Sequence, residues 1–351
     1  FFGIEEFKLT IIRSVIIKLI AVACIFLFVK TANDLWKYTL IMSLSVLINQ
    51  MILWFYLKRF INFEKVKFVD SKKHLKPLLI LFVPILSYSL YKIMAKIILG
   101  SLTDMQQVGF YESAEKVVNI PMGLVTALGT VMLPRLTNLI SNGETVKALS
   151  YLNKSTLVVT FLASAICFGL IGISPVFTPL FFGEGYSEVS NLLSYLSISV
   201  FFIAWANVLR TQYLIPFQLD SIYVKSMVIG AIVSICLNFL LIAKFKAIGA
   251  IFSTVLAEFS VMATQFIFIS KKINLFKNVV SSFPYIFIGV SMSIFLRLLI
   301  YFQNDISLFL LLIFGAFFYI IFCTIYITIK KDFLFETLEV YIKLITKKWR
   351  K

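Results

Sequence analysis

The sequence predicts an all-α polytopic membrane protein, and three observations carry that class. Hydrophobic residues make up 60% of the 351 residues and charged residues only 14%, where a soluble globular chain has about a quarter charged. Apolar runs recur at about the twenty residues a helix needs to cross a hydrocarbon core. No period-2 alternation is sustained, which argues against a transmembrane barrel. No soluble domain fits in what remains.

Ten spanning helices follow in order, at 11–29, 38–57, 77–99, 113–133, 155–175, 191–213, 223–243, 247–270, 281–301 and 306–328. Their connections alternate in charge. One set holds Lys8, the run from Lys58 to Lys76, Arg135, Lys147, Lys154, Arg210, Lys225, Lys271, Lys272, Lys277 and the tail from Lys330; the other holds only Lys30, Lys37, Lys244 and Lys246. The positive-inside rule makes the first set cytoplasmic, with both ends of the chain on that side. The net charge of +16 would suggest nucleic acid in a soluble protein. Here it is the topology signal, and no nucleic-acid partner is expected.

The longest basic connection, KRFINFEKVKFVDSKKHLK (58–76), reads as a solvated linker. The tail from Asp332 to Lys351 can place Phe333, Leu334, Leu338, Tyr341, Ile342 and Ile345 on one face before KKWRK. That pattern fits a helix lying on the inner leaflet against anionic headgroups; a solvated, frayed tail is the competing reading. Cys24, Cys167, Cys236 and Cys323 all fall in apolar runs. They read as packing residues, with neither metal-ligand spacing nor a disulfide framework. His74, the single histidine, stands in a charged loop. No metal and no cofactor is expected.

Charges inside the spans are the most informative residues, because one at the bilayer centre costs at least about 2.5 kcal/mol on insertion scales. Lys18 lies mid-span in the first helix and Glu258 mid-span in the eighth. Tyr88, Lys92 and Lys96 are spaced i, i+4, i+8 and share one face of the third helix. Two lysines one turn apart repel, so a hydrated, anion-receiving environment is expected for them. Lys96, Lys116 and Arg297 lie nearer the outer ends, where snorkelling competes with substrate contact. Asn238 reads as a helix-packing hydrogen bonder.

Leu99–Gly100, then VGFY (108–111), then Ala-Glu-Lys (114–116), then a helix ending in MLPR (132–135) resembles the bacterial polysaccharide flippases. These belong to the multidrug/oligosaccharidyl-lipid/polysaccharide exporter superfamily, with the multidrug and toxin extrusion (MATE) transporters and the lipid II flippases. FTPLFFGEGYSEVSNLL (177–193) and LNFLLIAKFKAIGAIFSTVLAE (237–258) resemble further family segments. The resemblance implies a MATE-like two-lobe helix bundle, present in part. Residues 1–57 would be the last two helices of the first lobe and 58–76 the interlobe linker. Residues 77–270 would be the second six-helix lobe, 271–328 an extra helix pair, and 329–351 the basic tail. About four helices would precede Phe1; a weak repeat between the ends of helices two and eight, MILWFYLKRFI and TQFIFISKKI, agrees.

The resemblance also implies the activity: flipping a polyprenyl-diphosphate-linked oligosaccharide across the bacterial cytoplasmic membrane for cell-surface polysaccharide. Lys18, Tyr88, Lys92, Lys96, Lys116 and Arg297 are the cavity candidates, and Glu258 is the candidate for coupling to an ion gradient. One departure stands out. The family often has an acidic residue near the position of Lys96. Membrane lipids and the glycan carrier are the expected partners, with a polymerase and glycosyltransferases as further ones. A drug or lipid II exporter of the same fold is the nearest alternative. A membrane polymerase or glycosyltransferase is the alternative of another class, and needs carboxylates or metal ligands outside the membrane. The outer acids, Asp34, Asp104, Glu112, Glu184, Glu188 and Asp305, have no His or Cys beside them, which discounts the enzyme.

Overall fold

The computed structural model describes residues 7–57, 68–303 and 306–330. Most of the linker and the amphipathic tail therefore lie outside the described residues. Every regular element among them is helical. Buried backbone N–H and C=O groups have no water to bond in hydrocarbon, and a helix satisfies them within one segment. Eight described segments are long and apolar enough to cross a membrane.

The chain divides into two compact units, Phe1–Lys73 and His74–Lys351. In the first, α1 (Phe7–Phe28) and α2 (Leu35–Leu57) pack together. Ser14 Oγ donates to Asn49 Oδ1 between them at 3.3 Å. Asp34 closes the turn by accepting from the backbone N–H of Lys30 and Thr31 and pairing with Lys37. The Lys37 ammonium, then those two N–H groups, hold its carboxyl well below the usual carboxylate range.

The second unit begins with α3 (Phe68–Leu102) and α4 (Met105–Ser141). They are joined by a two-residue turn. Asp104 caps α4 through its side chain, which accepts from the Gln107 N–H at 2.9 Å and satisfies one of the helix's orphan donors. Then come α5 (Thr145–Phe182), α6 (Ser187–Ser197) and α7 (Ser199–Leu209). One turn of wider helix, Arg210–Leu214, ends this span. Such turns insert a residue into the ladder and re-aim side chains.

α8 (Asp220–Ser270) has 51 residues, about 76 Å if straight at 1.5 Å per residue. It is not straight. Lys246 breaks it with φ 49°, and the two arms run back along each other. Gln265 donates to Ser226, and Gly230 faces Val261. At the turn the arms meet so closely that a Cβ on Gly249 would lie 2.3 Å from the Leu241 carbonyl oxygen. The arms correspond to the expected spans 223–243 and 247–270. α9 (Phe276–Phe302) and α10 (Leu308–Lys330) complete the unit.

One apolar core joins α3 to α8, through residues such as Leu99, Tyr111, Leu152, Leu193 and Ile251. A second, with Tyr285, Leu296, Leu311 and Tyr319, seats α9 and α10 on the flank of α5. Gln107 ties three connections to one end of this unit. Its Nε2 donates to Glu188, and its Oε1 accepts from the Ala247 N–H. At the other end, Asn278 donates to Asn153 and Arg135 lies over Tyr151. The alternation of connections read from charge is thus the alternation the second unit has.

The hairpin gives a direct test. Gly249→Ala forces a methyl into backbone, with overpacking costing about 1–3 kcal/mol. Gly185→Ala meets open space within 4 Å. The expected result is a lowered melting midpoint of detergent-purified protein for Gly249→Ala and an unchanged one for Gly185→Ala.

Candidate functional site

The α3–α4 turn decides which charges meet. Lys92 lies as many residues before Thr103 as Glu115 lies after Asp104, so an antiparallel pair brings them level. Lys92 Nζ donates to Glu115 Oε1 at 2.8 Å, and Lys96 Nζ pairs with Oε2 at 3.0 Å. One carboxylate thus bridges two ammonium groups one helical turn apart. Glu115 is only 8% exposed. A charge so enclosed must be paired, since removing one partner leaves an uncompensated buried ion. The two lysines therefore keep their separation without any external anion. The expectation that repulsion between them is relieved from outside is corrected: Glu115 relieves it.

The neighbouring residue, Tyr91, turns the other way. Its phenol donates to Glu258 Oε1 at 2.9 Å, on the second arm of α8. Glu258 is 5% exposed. Tyr111, fully buried, shares a 2.9 Å hydrogen bond with Thr254 one turn away. Beside Glu258 lies a cavity of about 170 Å³, walled in part by Tyr88, Thr126, Asn207, Arg210 and Gln265. Asn207 Oδ1, Gln265 Oε1 and Arg210 Nε are buried there without hydrogen-bond partners. A polar space of that size has room for several waters. A larger cavity of about 530 Å³ is walled by Phe168, Phe201, Trp205, Phe259, Phe266 and other apolar side chains. It offers nothing to recognise charge.

The remaining candidates are not gathered here. Tyr88 is half exposed; its ring packs edge-on against Tyr91 and lies 5.8 Å from Lys92 Nζ. Lys116 points out and pairs with Glu112 on its own helix at 3.2 Å. Arg297 is spent on packing. Its guanidinium donates to the Ile171 carbonyl and to Ser174 and Ser194, holding α9 to α5 and α6. Lys18 is exposed on α1 of the other unit. Asn238 is buried and donates to Ser234. Among the described residues no three His, Cys, Asp or Glu side chains gather to hold a metal.

Sequence reasoning missed Glu115, Tyr91, Gln265 and the inward role of Arg210. Glu115 had a usable signal. Two in-span lysines on one face require a counter-charge, and the helix across a tight turn is the first place to look.

With the fold and the charged cluster in hand, the comparisons with known proteins agree. Residues 1–140 match the family described as Polysaccharide biosynthesis protein. The fold is that of a lipid II flippase solved in an inward closed conformation. The TM-score is 0.70 at 17% identity, over 93% of this chain and 69% of that one. The family match covers the first 140 of the 351 residues, and the solved flippase shares the fold. Two curated proteins named "Putative O-antigen transporter" are similar at 24% identity. That of Shigella dysenteriae matches over 74% of this chain and that of Escherichia coli (strain K12) over 77%. The chain spans 65% of the length of each.

The Tyr91–Glu258 contact can be measured by a double-mutant cycle. Tyr91→Phe removes a donor to a buried carboxylate, a bond worth about 1.5–3 kcal/mol. Tyr91→Phe and Glu258→Gln should each lower the melting midpoint. The double variant should lose less than the two singles combined, because they share one interaction.

Proposed function

We propose that this chain is the larger part of a transporter that moves a polyprenyl-diphosphate-linked oligosaccharide from the inner to the outer leaflet of the bacterial cytoplasmic membrane. The observation that carries the reading is the pair of lysines one turn apart on α3, held ready by Glu115 of the membrane-spanning α4. A lysine ammonium is a compact point charge suited to phosphate oxygens. The match to the Polysaccharide biosynthesis protein family and the flippase fold support the same reading. Lys92 and Lys96 bind the diphosphate. Tyr88, on the same face, adds an aromatic surface beside them. Transport follows alternating access, with the second unit as one lobe rocking against a first lobe to which α1 and α2 belong.

Glu258 is the coupling residue in this proposal. It is a carboxyl inside a membrane-spanning arm, held by one phenol and bordering a polar cavity. Intramembrane carboxyls of this kind mark ion and proton paths. The chain is a carrier and has no catalytic role of its own; a polymerase and glycosyltransferases act before and after it. A lipid II exporter is the second reading, favoured by the solved flippase whose fold this chain shares. It would use the lysines in the same way, because a diphosphate on a polyprenyl carrier is common to both. The connections holding Lys58–Lys76, Asn142 and Lys271 face the cytoplasm with the C-terminal tail, and the 101–110 turn faces outward.

Two experiments test this. In a strain lacking its own flippase, Lys92→Ala should reduce surface polysaccharide while the protein stays in the membrane, because Glu115 keeps Lys96 as a partner. Lys92→Arg should retain more export than Lys92→Ala. Lys116→Ala, which disturbs only a surface pair, should export normally. Full export by Lys92→Ala would end the assignment. For orientation, cysteines placed at Thr103 and Asn142 in a cysteine-free background should differ. An impermeant thiol reagent on intact cells should label Thr103→Cys only.

A further inference from the structure

Glu115 uses both carboxylate oxygens, one on each lysine. Two negative oxygens bridging two ammonium groups is also what two oxygens of a phosphate would do there. We infer that Glu115 is a resident competitor for the lysine site: a phosphate-bearing ligand binds by displacing the Glu115 carboxylate from Lys92 and Lys96, and Glu115 takes up a proton as it leaves. This rests on the lysines being the anion site.

Electrostatics and burial make displacement the favoured course. With Glu115 ionised, the cluster carries a net single positive charge for two lysines. An incoming dianion would then sit against a carboxylate in a low-dielectric setting, where like charges repel strongly. Glu115 is nearly closed to solvent, so it cannot simply turn away into water as an anion. Protonation removes both difficulties. The balance is simple: one proton from solvent joins Glu115, the lysines stay as ammonium groups, and the two ion pairs to Glu115 become two to the ligand.

The surroundings oppose the alternatives. The charged and titratable groups around Glu115 are Lys92, Lys96, Tyr88 and Tyr91 of α3, Tyr111, Glu112 and Lys116 of its own helix, Glu258 of α8, and Arg210 of the turn after α7. Lys116 and Glu112 satisfy each other on the outer face of α4. Glu258 is occupied by Tyr91. Arg210 is directed to Tyr223, and among the described residues Glu115 is paired with Lys92 and Lys96 alone, so it leaves them neutral.

The test is binding of inorganic pyrophosphate to the purified full chain in nanodiscs, by titration calorimetry at pH 8 and pH 6. Glu115→Gln imitates the protonated acid. It should bind pyrophosphate at least tenfold tighter than the unmodified chain at pH 8. That ratio should shrink as pH falls, by up to about tenfold per unit for one linked proton. Because both proteins meet the same probe, its own titration cancels in the ratio. Lys92→Gln with Lys96→Gln should abolish binding. As a second measure, independent of how well Glu115→Gln folds, Glu115→Asp should bind more tightly than the unmodified chain, since a shorter acid cannot reach both lysines. Two results would overturn the competitor role while leaving the lysine site standing. In one, Glu115→Gln binds no tighter at pH 8 while loss of the lysines abolishes binding. In the other, the ratio is flat with pH. Binding that survives loss of both lysines, or is absent in every protein including Glu115→Gln, would overturn the lysine site itself.

Discussion

A buried ion must have its counter-ion, and in the second unit that constraint is met at Lys92, Glu115 and Lys96. Inside a membrane-spanning bundle no water stands by to replace a missing partner. The three residues therefore fix the register of α3 against α4 more tightly than apolar packing alone would. Leucine and valine contacts tolerate a small slide. A carboxylate whose two oxygens reach two lysines one turn apart does not.

That register depends in turn on the turn between the helices. Thr103 closes α3 through its backbone N–H and its hydroxyl, both bonded to the Leu99 carbonyl. Asp104 opens α4. With both helix ends satisfied inside two residues, there is no slack for slippage. The α8 hairpin shows the same logic carried further. Its arms approach so closely at Gly249 that no side chain could stand there, and this sets Glu258 level with Tyr91. Two short turns thus place two acids against different faces of one helix.

Much of this was legible in the sequence, and the reasons for the rest are specific. The spans emerged because hydrocarbon enforces a length: all ten fall on helix, and nine of them lie in the eight described segments apolar enough to cross a membrane, α8 holding two, while 77–99 in α3 lies outside those eight. The seventh boundary, between 243 and 247, is legible from Lys244 and Lys246 within an apolar stretch, although the backbone there departs from helix only at Lys246. The stripe of Tyr88, Lys92 and Lys96 followed from the helical repeat. What it faced did not, since periodicity reports a face and not the neighbour on it. Glu115, the third residue of the expected span 113–133, looks from the sequence like an end residue. The structure begins that helix at Met105, so Glu115 lies well inside. Arg297 shows the converse. An arginine near a helix end looks like an anchor or a ligand contact, and only the serines of α5 and α6, distant in sequence, reveal it as a packing residue.

The last step concerns α3 itself. Tyr91 and Lys92 are adjacent, so on a helix they point about 100° apart. One reaches Glu258 on α8 and the other Glu115 on α4. α3 is thereby held between two carboxylates on two different elements. Rotation or sliding of α3 by a fraction of a turn would break both contacts together, because the residues that make them are bonded to each other. In the structure α3 is engaged at both acids at once. Coupling between sites needs a two-state element, biased from each side. Among the described residues α3 bonds to both acids, through Tyr91 to Glu258 and through Lys92 and Lys96 to Glu115, so the lysine cluster and the polar cavity beside Glu258 adjoin the same helix.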